Sequence, residues 1–186
     1  MEYNITYGDK VSGAAVVTLA LAKQNSNIEH SDTEAYLQLL LDAAVEDAEN
    51  YTGVSLLQRS VVIAYSDWAL NYVLPLAPIQ SITSVTYKDE NGDTQTVATT
   101  DYTFYSNTGQ HFLQINLDAL PTLDEDTPFP VTVTCVAGYA TDDMPAFVKS
   151  AVMMRFSHKE LYREDMAIPT SMDRAFQNAL RPIKRW

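Results

Sequence analysis

The chain has 186 residues, of which 46% are hydrophobic and 19% charged, and its 12 Lys and Arg stand against 24 Asp and Glu, a formal charge of −12. This composition excludes a disordered chain, and the acidity disfavours a general nucleic-acid binder, which needs a basic surface. The single cysteine, Cys135, excludes a disulfide framework, and the lack of a long apolar run or a basic leader predicts a soluble protein of a reducing compartment without membrane contact.

The charge is unevenly distributed along the chain. Residues 1–143 carry 20 acidic and 4 basic residues, whereas residues 144–186 carry 4 acidic and 8 basic residues. A chain that is acidic over most of its length and basic at one end is suited to contact a partner of opposite charge, including another copy of itself.

The N-terminal part of the chain begins without a clear period. We expect residues 1–16 to form a flexible polar arm, because Gly8 and Gly13 interrupt any alternation of apolar and polar residues. Residues 17–23 then predict a short helix, which the polar residues after Lys23 end.

The first long helix is predicted to start at a capping box, in which Ser31 and Glu34 satisfy each other's backbone amides. Leucines and alanines follow at helical spacing, and Gly53 predicts the C-terminal end. Three acidic residues fall on one face of this helix: Asp42, Glu46 and Glu49.

From Ser60 to about Tyr139 the period changes to two, which predicts short antiparallel strands. The predicted strands cover residues 61–65, 72–74, 82–88, 94–98, 102–105, 112–115 and 131–136. Hairpin turns are predicted at Asn91-Gly92 and at residues 107–109, because asparagine and glycine tolerate positive φ.

Helical periodicity returns at Pro145, a residue typical of a first helical turn. The apolar row of this helix consists of Val148, Ala151, Val152 and Phe156. Its basic row consists of Arg155, Lys159 and Arg163. After Pro169 a last amphipathic helix is predicted, and Pro182 ends it.

The order helix, sheet, helix, helix predicts an α+β fold. A small helical bundle, made of the N-terminal helix and two C-terminal helices, would carry an inserted antiparallel β sub-domain. We expect the arm at 1–16, the bundle at 17–58 and 140–186, and the β sub-domain at 59–139, all within a single structural domain.

Motifs for chemistry are missing from the sequence. The histidines lie in unrelated segments, and we expect His111 to present a solvated ring on its strand. Cys135 is expected to be buried in its alternating strand, and residues 124–126 to form a solvated acidic loop instead of a calcium site. The sequence thus predicts a protein that is not an enzyme and that binds no cofactor and no metal.

Four stretches occur in an order known from one protein family. They are VTLALAK at 17–23, LPLAPIQSITSVTY at 74–87 followed by Asn91-Gly92, VTVTCVAGY at 131–139 followed by MPAFVKSA at 144–151, and ALRPIKRW at 179–186. Together they resemble the gp6-like head–tail connector proteins of tailed double-stranded DNA bacteriophages, which are also called adaptor or head-completion proteins.

The resemblance implies a structural virion protein of the head–tail interface, assembled in the host bacterial cytoplasm. It implies a ring of copies, expected to be dodecameric, beneath the portal protein. The ring would extend the channel through which DNA passes without specific binding, and would offer a docking platform for a stopper or tail protein. Another virion component (stopper, tail-completion or baseplate protein), a hydrolase and an acidic nucleic-acid mimic stay open as alternatives.

Two sets of residues are candidate contacts in such an assembly. The acidic row of the first long helix and the basic row of the next are expected to meet between subunits, unless both rows are only solvated faces. The residues expected to dock into the portal are Arg174, Phe176, Leu180, Arg181, Pro182, Ile183, Lys184, Arg185 and Trp186. The alternative for this segment is a last helix folded back on its own bundle, with Trp186 buried there.

Overall fold

The computed structural model describes residues 2–10, 15–107, 109–116, 118, 120–162 and 170–185. Contacts divide the chain into two units. The β unit combines Met1–Ser12 with Gln58–Gly138, and the helical unit combines Gly13–Leu57 with Tyr139–Trp186. Helices and antiparallel sheets together confirm the predicted α+β class.

Four helices make up the described part of the helical unit. They are α1 (Leu19–Asn25), α2 (Glu34–Thr52), α3 (Ala146–Leu161) and α4 (Thr170–Leu180), and a short 3₁₀ turn, Arg181–Ile183, follows α4. The predicted helices are therefore confirmed. No helix within the described ranges is both long and apolar enough to cross a membrane.

The two ends of α2 differ in how well the sequence predicted them. Gly53 ends the helix in the left-handed conformation, with φ of 67°, as expected. The predicted capping box is wrong, because Thr33 is the N-cap residue and no side chain caps the helix. The carboxylate of Glu34 accepts a hydrogen bond from Lys23 Nζ at 2.7 Å instead, and this ion pair ties α2 to α1.

The predicted apolar faces of α2 and α3 form the core of the helical unit. The buried residues of these faces are Leu37, Leu41, Ala44 and Ala48 of α2 and Val148, Ala151, Val152 and Phe156 of α3. Phe176 and Leu180 of α4 belong to the same cluster. Because Phe156 is fully buried, its replacement by Ala would cost about 3–5 kcal/mol.

Eight strands make up the described part of the β unit. They are β1 (Tyr3–Lys10), β2 (Arg59–Tyr65), β3 (Asn71–Leu74), β4 (Ile79–Lys88), β5 (Thr94–Thr96), β6 (Tyr102–Asn107), β7 (Gln110–Ile115) and β8 (Val131–Ala137). One sheet has the order β1-β2-β8-β4-β5 and the other β3-β7-β6, and all pairs are antiparallel. Both predicted hairpins form, with Gly92 and Gly109 at positive φ of 80° and 78°.

Alternate residues of the two sheets point into one hydrophobic cluster. Its members from β2 and β8 include Val61, Ile63, Tyr65, Val131, Val133 and Cys135. Cys135 is fully buried, as predicted, and burial raises the pKa of its thiol to about 11. The thiol is therefore a packing group and not a ready nucleophile.

The N-terminal arm is the main correction to the predicted fold. Instead of being a flexible arm, its residues Tyr3–Lys10 form β1 at the edge of the five-stranded sheet, antiparallel to β2. Ile5 lies opposite Ile63 in this pair and packs against the core of the β unit. Residues 1 and 11–14 of the predicted arm lie outside the described residues.

Candidate assembly surfaces

The basic row predicted on α3 is engaged within the helical unit. The Arg155 guanidinium donates hydrogen bonds to Asp47 Oδ2 on α2 and, at 3.3 Å, to Asp173 Oδ1 on α4. Lys159 Nζ lies 3.1 Å from the same oxygen of Asp47. Arg163, the third member of the row, lies outside the described residues.

Arg155 is also enclosed by the core. Its side chain is 14% exposed, and its guanidinium lies 5.0 Å from the centre of the Phe176 ring, a cation–π contact. Removing such an arginine lowers the free energy of unfolding more than removing one partner of a solvated ion pair does. The reason is that the carboxylates left behind are partly shielded from water. Arg155 therefore acts first as a structural residue of the helical unit.

The acidic row predicted on α2 splits into exposed and engaged members. Asp42 and Glu46 are exposed, and Asp42 accepts a hydrogen bond from Gln38 on its own helix at 2.8 Å. Glu49 is half-buried, and its carboxylate accepts the backbone N–H of Leu56 at 2.9 Å. The outward part of the row therefore consists of Asp42 and Glu46.

The candidate docking residues of the C-terminus also divide by exposure. Phe176 and Leu180 are buried in the core of their own unit. Arg174, Arg181 and Pro182 are exposed, and Ile183, Lys184 and Arg185 are half-buried. The two apolar candidates with the largest side chains in α4 are thus used for folding, and the basic candidates make up the accessible surface.

Pro182 marks the end of the last α-helix, as predicted, but the next described residues lie against α2. The backbone N–H of Arg185 donates to Thr52 O at 2.7 Å, and Lys184 Nζ lies 4.4 Å from the centre of the Tyr51 ring. Burial lowers the pKa of the Arg185 guanidinium. Up to Arg185 the segment folds back on the helical unit, and Trp186 lies outside the described residues.

His111 differs from its prediction. Its ring is buried, not solvated, because it takes part in the interior hydrogen bonding of the β unit. Nε2 accepts the backbone N–H of Ile79 at 3.2 Å, Nδ1 lies 3.1 Å from Ser106 Oγ, and the ring stacks on Phe104. These contacts satisfy the imidazole and give it a structural role.

The acidic loop before β8 is held by hydrogen bonds to the Asp124 carboxylate. Asp124 accepts the Asp126 N–H at 3.0 Å and the Thr127 hydroxyl at 2.6 Å, and these bonds lower the pKa of its carboxyl group. Within the described ranges, no group of three or more His, Cys, Asp or Glu is arranged to hold a metal ion.

Comparison with known proteins identifies a family. Residues 16–116 match the model of the phage gp6-like head–tail connector proteins. Two of the four stretches noted in the sequence, at 17–23 and 74–87, lie inside the matched range. No curated protein matches the chain in sequence.

Solved structures resemble the whole chain. A chain in the neck of an empty GTA particle, computed with C6 symmetry, superposes with a TM-score of 0.74 at 18% identity, covering 100% of this chain and 96% of the other. A chain in the virion of the native gene transfer agent (GTA) particle gives 0.76 at 19% identity, with the same coverage. A chain in the native GTA neck, computed with C12 symmetry, gives 0.72 at 20% identity, covering 97% and 96%. At these identities the likeness concerns the fold.

Proposed function

The chain belongs to the phage gp6-like head–tail connector family, and on that premise we propose that it forms a ring beneath the portal protein at the neck of a tailed bacteriophage. The observation that carries the proposal is the family match over residues 16–116. It is supported by the full-length likeness of the fold to chains of GTA particles, two of them from necks computed with C6 or C12 symmetry. Copies arranged as a dodecamer would extend the channel that leads out of the head.

The charge of the chain suits a DNA channel that does not retain its cargo. Each copy carries a formal charge of −12, so a ring concentrates many carboxylates around the path of the DNA. Carboxylates repel phosphates, whereas a bore lined with arginine would bind DNA in a salt-dependent way. In this proposal DNA passes without specific binding, and none of the residues performs chemistry.

The C-terminal segment is the proposed contact with the portal. Residues 182–186 combine Pro182, Ile183, two basic residues and Trp186, and arginine and tryptophan are frequent anchors of protein interfaces. Because Lys184 and Arg185 are seated on the end of α2, the segment would dock as part of a folded surface and not as a loose tail. The opposite face of the ring would receive the stopper or tail protein.

The ring itself is tested by mixing the purified chain with portal-bearing heads that lack their neck. Electron micrographs should show a ring of added density beneath the portal vertex, at the head–tail interface that the mature virion uses. Heads without a portal provide the control, because a connector has no vertex to recognise there. Heads with a portal that gain no density would contradict the proposed function.

The docking surface is tested by deleting residues 182–186. The deletion removes the Arg185–Thr52 hydrogen bond, the Lys184–Tyr51 contact and the packing of Ile183 against the helical core, so we expect a folded chain that loses about 2–3 kcal/mol of unfolding free energy. It should no longer add density to portal-bearing heads. Val152→Ala is the control for lost stability, since it opens a small cavity in the helical core and keeps the segment and the residues beneath it. If both variants bind heads equally, the docking assignment is wrong.

A further inference from the structure

Only negative charge is exposed on α2. The helix contains five acidic residues and no lysine or arginine. Asp42 and Glu46, four positions apart, point outward beside Leu39, whose residue exposure is 63%. Asp47 is paired with Arg155 and Lys159. The outward surface of the helix, called here the acidic α2 face, consists of Leu39, Asp42 and Glu46.

The exposed charge of the last helical segment has the opposite sign. Arg174 and Arg181 are exposed and lie seven positions apart, which is about 10 Å along a helix. Two short exposed residues, Ala175 and Asn178, lie between them. Asp173, the single acid in residues 170–183, accepts hydrogen bonds from Arg155 and Gln177. This surface, called here the basic α4 face, consists of Arg174, Ala175, Asn178 and Arg181.

The basic residues that can contact a neighbouring copy differ from those expected from the sequence. Arg155 and Lys159 are 14% and 23% exposed, and Asp47 of the same chain already balances them. Breaking such a partly buried network to make another ion pair would gain nothing. Arg174 and Arg181 are long side chains on an exposed surface, so they reach a partner without any rearrangement of the core.

We propose that the acidic α2 face of one copy packs against the basic α4 face of the next. The inference rests on the proposed ring. Two different and complementary surfaces on each copy are what a closed head-to-tail ring requires. Because every copy carries −12, copies repel each other at a distance, and a local match of opposite charges selects the orientation in which they touch. The short residues between the arginines leave room for Leu39 of the neighbour.

Charge reversal tests this contact on portal-bearing heads. The first variant is Asp42→Lys with Glu46→Lys, the second is Arg174→Glu with Arg181→Glu, and the third combines all four changes. Each of the first two sets like charges against each other, so ring occupancy should fall about tenfold or more. The combined variant restores opposite charges and the original net charge, and it should recover most of the occupancy.

The control is Asp142→Lys with Asp143→Lys. Both residues are exposed, and the pair changes the net charge by the same amount as the α2 reversal, so rings should form as in the unmodified chain. If all variants occupy the heads equally, or if the combined variant recovers nothing, the proposed contact is overturned while the ring stands. If the unmodified chain forms no ring, the proposed function itself fails.

Disulfide trapping gives a second measurement that does not depend on reversed charges. Glu46→Cys and Arg174→Cys chains are mixed on portal-bearing heads and oxidised. Cys135 does not interfere, because it is buried and its thiol pKa is raised. The mixture should yield cross-linked dimers, and each variant alone should yield none. A mixture without dimers on heads that carry rings would overturn the contact.

Discussion

Arg155 joins three helices of the helical unit through one side chain. From α3 it reaches Asp47 on α2 and both Asp173 and the Phe176 ring on α4. Its removal would leave Asp173 without its cation and would leave Asp47 with Lys159 alone. The residue therefore matters for the stability of each copy before any question of assembly arises.

We predict that Arg155→Met lowers the free energy of unfolding by about 1–3 kcal/mol, because methionine fills the space but leaves Asp47 and Asp173 underpaired. Arg174→Met is the matched control, and its exposed position should keep its effect within about 0.5 kcal/mol. Urea unfolding of both variants measures the difference. Equal effects would show that the Arg155 network contributes no more than a surface charge.

The importance of Asp47 could not be predicted from spacing along one helix. Asp47 lies next to Glu46, and the sequence pattern grouped Glu46 with Asp42 and Glu49. The structure separates these residues, because α3 lies against the side of α2 that carries Asp47. Which carboxylate meets Arg155 is decided by the packing of helices about 100 residues apart in sequence.

Cys135 predicts a response to alkaline pH. Burial raises the pKa of the Cys135 thiol from 9.0 to about 11 in the folded chain. The neutral thiol therefore contributes its full share to the free energy of unfolding below pH 9, and this contribution is lost as the pH rises through 11. In Cys135→Ala, stability should fall less steeply between pH 9 and 11 than in the unmodified chain. Burial also raises the pKa of Tyr65 and, to about 12, that of Tyr72, so both phenols add a slope of their own in each protein. Identical slopes would contradict the burial argument.

At the scale of elements, β1 offers the sharpest test of the fold. Ile5 packs against the core of the β unit opposite Ile63, whereas Thr6 is exposed on the other side of the strand. Ile5→Asp should therefore lower the free energy of unfolding by about 1–3 kcal/mol, and Thr6→Asp should change it by less than about 0.5 kcal/mol. Urea unfolding measures both. A harmless Ile5→Asp would mean that β1 is not paired in solution.

The sequence contained half of the signal for β1. Tyr3, Ile5 and Tyr7 alternate as in a strand, but Gly8 interrupts the pattern. A Cβ atom at Gly8 would lie 3.0 Å from the carbonyl oxygen of Ser60 on β2, so the pairing itself favours glycine there. The paired residues of β1 and β2 are about 50 to 60 positions apart in sequence, and a local pattern does not reveal such a distant pair. Strands with nearby partners, such as β6 and β7, were predicted correctly.

At the scale of the whole molecule, the negative charge predicts weak contact with DNA. Rings assembled on portal-bearing heads should not retain a short DNA duplex at physiological salt, because the carboxylates of the copies exclude phosphate. Co-sedimentation of labelled duplex with ring-bearing and ring-free heads measures this. Retention by the rings that disappears at high salt would indicate a basic bore and would contradict the proposed channel.

The charge asymmetry between residues 1–143 and 144–186 was readable without a structure, and so was the idea that copies meet through it. The sequence alone does not show which side chains are available for a contact between copies. That depends on Asp47 and Asp173, which balance Arg155, and on the burial of Phe176 and Leu180, which withdraws them from any docking surface. The sequence composition thus predicts the charges of the contacting surfaces, and the packing of the helices determines which residues form those surfaces.

The division of the chain into two units also bears on biosynthesis. The polypeptide enters the β unit twice and the helical unit twice, so neither unit is a continuous stretch of sequence. During translation β1 leaves the ribosome before α2 has been made and must wait for β2. The helical core is completed only when α4 emerges, after every described strand has been made. Each unit can therefore fold only after its second segment has been made. For the same reason, no single proteolytic cut releases either unit as one intact fragment.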